Sequence, residues 1–188
     1  MQTTSRYSSL AVILHWIVAA GILVNVALAW SFNFISDDNI RFAIDTHKSL
    51  GISVLGFVLL RIFWRLYRQP PAFPYPQPPL ERFLANATHL FLYSLMLLLP
   101  ISGWLHDSAW KAASDHPMHL FGLFEWPRIG AIMQLEPVQK EHWHEVLGLI
   151  HTSLSYALYG LLLLHVAAAL KHHFSVSQPV RGRGMLPG

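Results

Sequence analysis

The chain has 188 residues, of which 53% are hydrophobic and only 12% charged, and its mean hydropathy of +0.38 is rarely reached by soluble domains of this size. The formal net charge of +3 does not indicate nucleic-acid binding, because the basic residues cluster at the ends of apolar runs and form no basic stripe. The absence of cysteine excludes disulfides, thiolate zinc sites, iron–sulfur clusters and thioether-linked haem.

Four apolar runs are long enough to cross a hydrocarbon core of about 30 Å. They cover residues 10–32, 46–66, 84–105 and 146–170. The first run has features of a signal peptide, but its length and the presence of His15 within it favour an uncleaved span. The sequence therefore predicts an all-α membrane protein with a four-helix bundle over residues 1–174 and a mobile cytoplasmic tail over 175–188.

The basic residues predict the orientation of the four spans. They lie before the first span, around the connection between the second and third spans, and after the fourth span: Arg6; Arg61, Arg65, Arg68 and Arg82; Lys171, Arg181 and Arg183. The other two connections have no strong positive excess, so we expect them outside and both termini in the cytoplasm. The segment 106–145 is long for a loop, and its tryptophans suggest short helices along the outer surface.

Histidines occur in the predicted spans at matching depths. His151 and His165 are 14 residues apart, so they share one helix face at a separation of about 21 Å. His15 and His165 both lie at a shallow depth on the cytoplasmic side, whereas His47 and His151 lie near the outer surface. Depth therefore predicts two pairs, His15 with His165 and His47 with His151.

Paired neutral imidazoles on either side of a planar macrocycle are typical of six-coordinate haem used in electron transfer. We therefore expect an inner haem iron held by His15 and His165 and an outer haem iron held by His47 and His151. The alternative is that each histidine is a polar group bonded inside the bundle. Arg61 follows His47 by 14 residues, and it either pairs with an inner haem propionate or snorkels at the membrane border.

The remaining histidines have weaker assignments. His89 is a spare inner ligand, a donor to propionate or quinone, or an interfacial residue. His172 and His173 are solvated or belong to a quinone pocket. A zinc or copper site is a minor possibility for the four histidines of the outer segment, which are His116, His119, His142 and His144. His144 is also the second choice for the outer ligand on the fourth span.

Several motifs together resemble the prokaryotic cytochrome b561 family. They span nearly the whole chain: Arg6-Tyr7-Ser8 before His15-Trp16; Thr46-His47-Lys48 with Gly51-Ile52-Ser53; Arg61 and Arg65; the stretch from His89 to Gly103; and His165-Val166-Ala167-Ala168-Ala169-Leu170-Lys171-His172-His173. Family members often have a histidine followed by glutamate at the start of the fourth span. That pair is His144-Glu145 here, but the spacing to His165 favours His151.

The resemblance implies a four-span inner-membrane protein with two b-type haems on His15, His47, His151 and His165, which exchanges electrons with ubiquinone. For some members it implies oxidation of superoxide on the periplasmic side. The leading hypothesis is therefore a superoxide:quinone type of oxidoreductase, which takes electrons from superoxide or a redox protein. An anion would be attracted by Arg41, Lys48, Lys111 or Lys140. The alternatives are a membrane-anchor subunit that links a separate dehydrogenase or hydrogenase to quinone, and a histidine-lined metal transporter.

Overall fold

The structure, a computed structural model, describes residues 7–68 and 78–175, with side chains as far as Lys171. The predicted all-α architecture is confirmed, since four helices are long and apolar enough to cross a membrane. The long helices are α1 (Ser9–Ser31), α2 (Asp37–Tyr67), α3 (Pro79–Ser108) and α5 (Pro137–Ser175). The short elements are β1 (His119–Leu120), β2 (Phe124–Glu125) and α4 (Gly130–Met133).

Helices α2 and α5 begin earlier in the chain than the apolar runs predicted. Helix α2 starts at Asp37 and α5 at Pro137, each nine residues before the predicted border. Hydropathy detects only the lipid-facing part of a helix, whereas its start depends on the residues of the first turn. Two carboxylates in the first turn stabilise the start of α2, and proline suits the first position of α5. Of the predicted tail, residues 176–188 lie outside the described part.

The helices pack as a bundle with a small internal core. Helix α1 packs on α2, α2 on α3, and α3 on α5. Val18, Val54 and Val58 form one buried cluster, and a second buried cluster joins α3 to Leu158 of α5. Most other large apolar side chains point outward, as Leu163 does with 71% exposure. Such an apolar exterior suits a helix bundle surrounded by lipid.

One end of the bundle, here called the loop face, is formed by residues 32–36 and by the connection 109–136. Of the short helices expected there, the structure has only α4; the connection also contains an antiparallel hairpin of β1 and β2. Asp107 holds the connection to the bundle, since Arg128 Nε donates to its Oδ2 at 2.8 Å and Lys48 Nζ to its Oδ1 at 3.2 Å. These ion pairs mark the border between the helices and the loop face.

Candidate cofactor sites

The first candidate site lies near the loop face, where α2 and α5 place two imidazoles opposite each other. The ring centroids of His47 and His151 are 6.3 Å apart, with an interplanar angle of 80°. Both side chains are partly buried. The structure thus brings together the two residues that sequence depth predicted as a pair.

Backbone carbonyls orient both of these imidazoles. The Nδ1 of His47 is 3.2 Å from the carbonyl oxygen of Asn25, and the Nδ1 of His151 is 3.1 Å from that of Leu99. A carbonyl only accepts hydrogen bonds, so each Nδ1 carries the proton and each Nε2 keeps its lone pair. This is the tautomer that a metal-ligating histidine needs.

Two glycines allow α3 and α5 to approach each other closely at this site. A Cβ on Gly103 of α3 would lie 3.1 Å from Cε1 of His151, and a Cβ on Gly148 of α5 would lie 3.2 Å from Cε1 of His106. Each helix therefore places a histidine against a glycine of the other. Because neither glycine has a side chain, there is space between the helices for the two imidazole rings.

A cavity of about 1080 Å³ opens beside His47 and His151. Its walls come from all four long helices and are largely apolar, with Trp30, Arg41 and Tyr156 among the lining residues. The volume is at the upper end of the range for small-molecule and cofactor pockets, about 300–1,000 Å³. The site therefore offers both nitrogen ligands and room for a large, flat, apolar group.

The second candidate site lies toward the opposite end of the bundle. The ring centroids of His15 and His165 are 6.5 Å apart, with an interplanar angle of 67°. His89 also points here, with its ring centroid 5.6 Å from that of His165. The predicted inner pair is thus close together, and His89 is a third imidazole within reach of the same site.

Two arginines supply positive charge at the second site. Arg61 Nη1 lies 2.7 Å from Nδ1 of His15, so Arg61 lies beside one of the two predicted inner histidines. The guanidinium carbons of Arg61 and Arg65 both lie 5.6 Å from the ring centroid of Tyr93. The aromatic ring thus holds two cations next to the imidazoles.

The spacing of the two histidine pairs fits a metal ion between the rings. With a bond of about 2.0 Å from each imidazole nitrogen to a metal on opposite sides, the two ring centroids would be about 6.3 Å apart. The distances of 6.3 and 6.5 Å agree with this value. The donor set of four imidazoles without thiolate suits b-type haem.

His144 occupies a different position from the outer pair. Helix α5 does extend outward far enough to include it, but its ring centroid is 4.0 Å from that of His106. Its Nδ1 lies 3.0 Å from the carbonyl oxygen of His106, and its Nε2 is 3.4 Å from Nε2 of His106. The 4.0 Å contact leaves no room for a haem iron between the two rings.

The other predicted histidines lie apart from both sites. His116 and His119 are exposed at the loop face, where His116 stacks on Trp110, and His142 is exposed near the start of α5. Within residues 7–68 and 78–171, no three histidine or acidic side chains come together as a metal cluster, so the zinc or copper hypothesis gains no support. The side chains of His172 and His173 lie outside the described part.

Sequence reasoning missed three components of the loop-face site. His106 was overlooked, although its position three residues after Gly103 places it one helical turn further along α3. The carbonyl groups of Asn25 and Leu99 carry no sequence signal, because every residue has one. Gly103 was noted only as part of a motif, and its packing role requires knowledge of the helix crossing.

Comparison with known proteins gives one family. The family model described as prokaryotic cytochrome b561 matches residues 6–188. Cytochrome b561 homolog 2 of Escherichia coli (strain K12) is 31% identical over 175 residues, which cover 92% of this chain and 87% of that protein. Probable superoxide oxidase CybB of Yersinia pestis is 31% identical over 178 residues, with coverage of 90% and 89%. Cytochrome b561 homolog 1 of Escherichia coli (strain K12) is 23% identical over 172 residues, with coverage of 90% and 91%.

Proposed function

Because the chain belongs to the prokaryotic cytochrome b561 family, we propose that this transmembrane electron-transfer protein binds two b-type haems and links an outer electron donor to ubiquinone. The family and the four spans place it in the inner membrane as a multi-pass protein. The observation that carries the proposal is the pair of imidazole spacings, 6.5 and 6.3 Å, at two separate levels of the bundle.

Each histidine has a defined task in this proposal. His47 and His151 present Nε2 to the first haem, and their Nδ1 protons stay bonded to backbone carbonyls. His15 and His165 would hold the second haem. Haem b between two imidazoles supplies a one-electron iron couple whose coordination is closed to other ligands. The protein fixes the ring orientations, which keeps the reorganisation of the ligands small.

Arg61 would bind a propionate of the second haem. If His15 ligates iron through Nε2, its Nδ1 carries the proton and no longer accepts a hydrogen bond from Arg61. The guanidinium, 2.7 Å from Nδ1, then turns to another acceptor. A carboxylate is its best partner, and stacking on Tyr93 keeps it close to the site.

The distribution of charge supports the predicted orientation. Residues 33–48 and 106–145, at the loop-face end, contain five basic and nine acidic residues, whereas the rest of the chain has eight basic residues and one acidic residue. Positively charged ends of spans stay in the cytoplasm. The loop face therefore lies in the periplasm, and both termini lie in the cytoplasm.

For the donor, we propose superoxide, as the name of the Yersinia pestis relative suggests. Arg41 lines the cavity beside the outer histidines, with its guanidinium carbon 5.5 Å from the ring centroid of Trp110. An exposed cation that lines an apolar cavity attracts a small anion. The protein would then act as a superoxide:quinone oxidoreductase.

A second candidate donor is a protein, with this chain as its membrane anchor. The acidic side chains exposed at the loop-face end outnumber the basic ones by seven to two in the described residues. The acidic ones are Asp37, Asp38, Asp115, Glu125, Glu136, Glu141 and Glu145, and the basic ones are Arg41 and Lys111. Such a surface is complementary to a basic soluble protein.

Haem quantification tests the ligand assignment. We expect two haems per purified wild-type chain, one in His151→Ala and two in His144→Ala, which is the matched control on the same helix. A His144→Ala protein that loses a haem while His151→Ala keeps both would contradict the assignment. A preparation without haem b bands in the reduced-minus-oxidised spectrum would exclude the function.

The two donors are separated by an assay on the isolated protein in vesicles that contain ubiquinone. Superoxide as donor predicts quinone reduction that superoxide dismutase abolishes. A protein donor predicts no reduction by superoxide, together with a stoichiometric partner in gentle purifications. In that second case the superoxide proposal is wrong.

A further inference from the structure

The hairpin of β1 and β2 exposes an apolar tip that nothing in the described chain covers. Phe121 is 49% exposed, Leu123 80% and Phe124 52%. Phe121 and Leu123 belong to the turn and Phe124 is the first residue of β2, while the hairpin base carries the polar pair His119 and Glu125. A contiguous apolar tip of this kind on a loop indicates contact with an apolar phase or a partner.

The hairpin is bound to α2 at a defined depth. The backbone N–H of Phe121 donates to Oγ of Ser49 at 2.9 Å, and Ser49 is only 1% exposed. Ser49 Oγ in turn donates to the carbonyl of Asp45 at 2.7 Å. The turn needs this anchor because Phe121 has φ = +52°, a left-handed conformation that a bulky residue adopts at a cost.

This depth coincides with the membrane border of the bundle. In α2, Lys48 is the last charged residue before an uncharged run of residues 49–60. In α3, Asp107 directly follows the uncharged run 83–106. Lys48 and Asp107 form an ion pair at 3.2 Å, so their level is where both helices enter the apolar layer. Ser49, and with it the hairpin tip, lies at this level.

The hairpin backbone also satisfies its own polar groups near the tip. Leu123 N donates to Leu120 O at 3.0 Å, and Trp126 N donates to Met118 O at 2.7 Å. Together with the Phe121 N–H on Ser49, these bonds reduce the cost of moving the turn out of water. Apolar and aromatic side chains at the border are those that enter the interfacial layer most readily.

From this juxtaposition we propose that the hairpin tip inserts into the outer leaflet of the membrane, with phospholipid as its partner. The surface of the tip is then continuous with the lipid-facing surface of the helices. The hairpin then acts as an interfacial anchor that holds the connection 109–136 at the cavity beside His47 and His151. This inference does not depend on which donor the protein uses.

Because the chain contains no cysteine, a single cysteine can be placed at the tip and labelled with a nitroxide. The full-length Leu123→Cys protein is reconstituted into vesicles of phosphatidylethanolamine and phosphatidylglycerol. Electron paramagnetic resonance then compares collision rates with oxygen, which concentrates in lipid, and with a water-soluble nickel chelate. Circular dichroism and size-exclusion chromatography check the fold, and Phe124→Cys serves as a second tip position if Leu123→Cys does not fold.

Two matched controls calibrate the measurement. Val138→Cys, 82% exposed at the start of α5, reports water, and Leu163→Cys, 71% exposed in the apolar part of α5, reports lipid. We expect the ratio of oxygen to nickel collisions at the tip to exceed that at Val138 several-fold and to approach that at Leu163. A ratio equal to that at Val138 would overturn the proposal. The proposal would also be overturned if the label collided rarely with the nickel chelate but showed spin–spin broadening that increased with protein density, because a second copy of the protein would then cover the tip.

Discussion

The substitution Gly103→Ala tests whether His151 holds the loop-face haem. The new Cβ would lie 3.1 Å from Cε1 and 3.3 Å from Nδ1 of His151, whereas ordinary contacts begin at 3.4 Å. The ring therefore has to move by a few tenths of an ångström. The ring is held by the carbonyl of Leu99 at 3.1 Å and by Ser102 Oγ at 3.0 Å. The movement therefore strains these hydrogen bonds and changes the direction in which Nε2 points.

The size of the effect follows from the cost of overpacking. Inserting a methyl group into a close contact costs about 1–3 kcal/mol, which corresponds to weaker haem binding by about 5-fold to 150-fold. Alanine also gains about 1 kcal/mol in helix propensity over glycine. Gly56→Ala is the matched control, because it has the same gain and its Cβ would meet nothing within 4 Å.

Haem transfer to an excess of apomyoglobin measures the release rates. For Gly103→Ala we expect one of the two haems to leave about 5-fold to 150-fold faster than in Gly56→Ala, while the other leaves at the unchanged rate. Equal release rates in the two variants would refute the role of His151. Faster release of both haems would show a general loss of packing.

Two further substitutions test the helix crossing and the arginine role. Gly21→Ala places a Cβ 2.7 Å from Cγ2 of Val54, so we expect the free energy of unfolding to fall by about 1–3 kcal/mol. In a Val54→Ala background this fall should be smaller, because the clashing methyl group is gone. Thermal unfolding measures both effects, and strictly additive effects of the two substitutions would contradict the clash. Arg61→Gln removes a cation that contacts His15, whereas Arg65→Gln removes one that only shares the same aromatic ring. A lost positive charge disfavours the added electron, so we expect Arg61→Gln to lower the second haem's reduction potential by roughly tens of millivolts, more than Arg65→Gln does. Equal shifts in a redox titration would argue against the special position of Arg61.

The sequence was sufficient for the class of fold because lipid imposes simple rules. A span must be helical and apolar, so hydropathy predicted four helices. Spacing put His151 and His165 on one helix face, since they are 14 residues apart, and matching depth then predicted a partner for each. The helix starts at Asp37 and Pro137 escaped prediction because they lie in polar segments, which hydropathy does not mark as helical.

The details of the loop-face site depend on tertiary packing, which hydropathy does not encode. The contact of His106 with His144 requires α3 and α5 to meet at Gly103 and Gly148. The hairpin was not predicted either, because its strands have two residues each and its turn places Phe121 in a conformation that favours glycine. Phe121 itself therefore carries no sequence signal for its part in the turn.

Helix α5 contributes one histidine to each of the two candidate sites and so connects them through a single continuous helix. It runs unbroken from Pro137 to Ser175 and carries His151 and His165, so the vertical distance between them is determined by the hydrogen-bonded backbone. A thinner or thicker bilayer can tilt the helix, but it does not stretch that distance. One residue inserted between the two histidines would rotate one ring by about 100° relative to the other. The length of this segment is therefore under a stricter constraint than its apolar side chains, which can be exchanged for others of similar hydropathy.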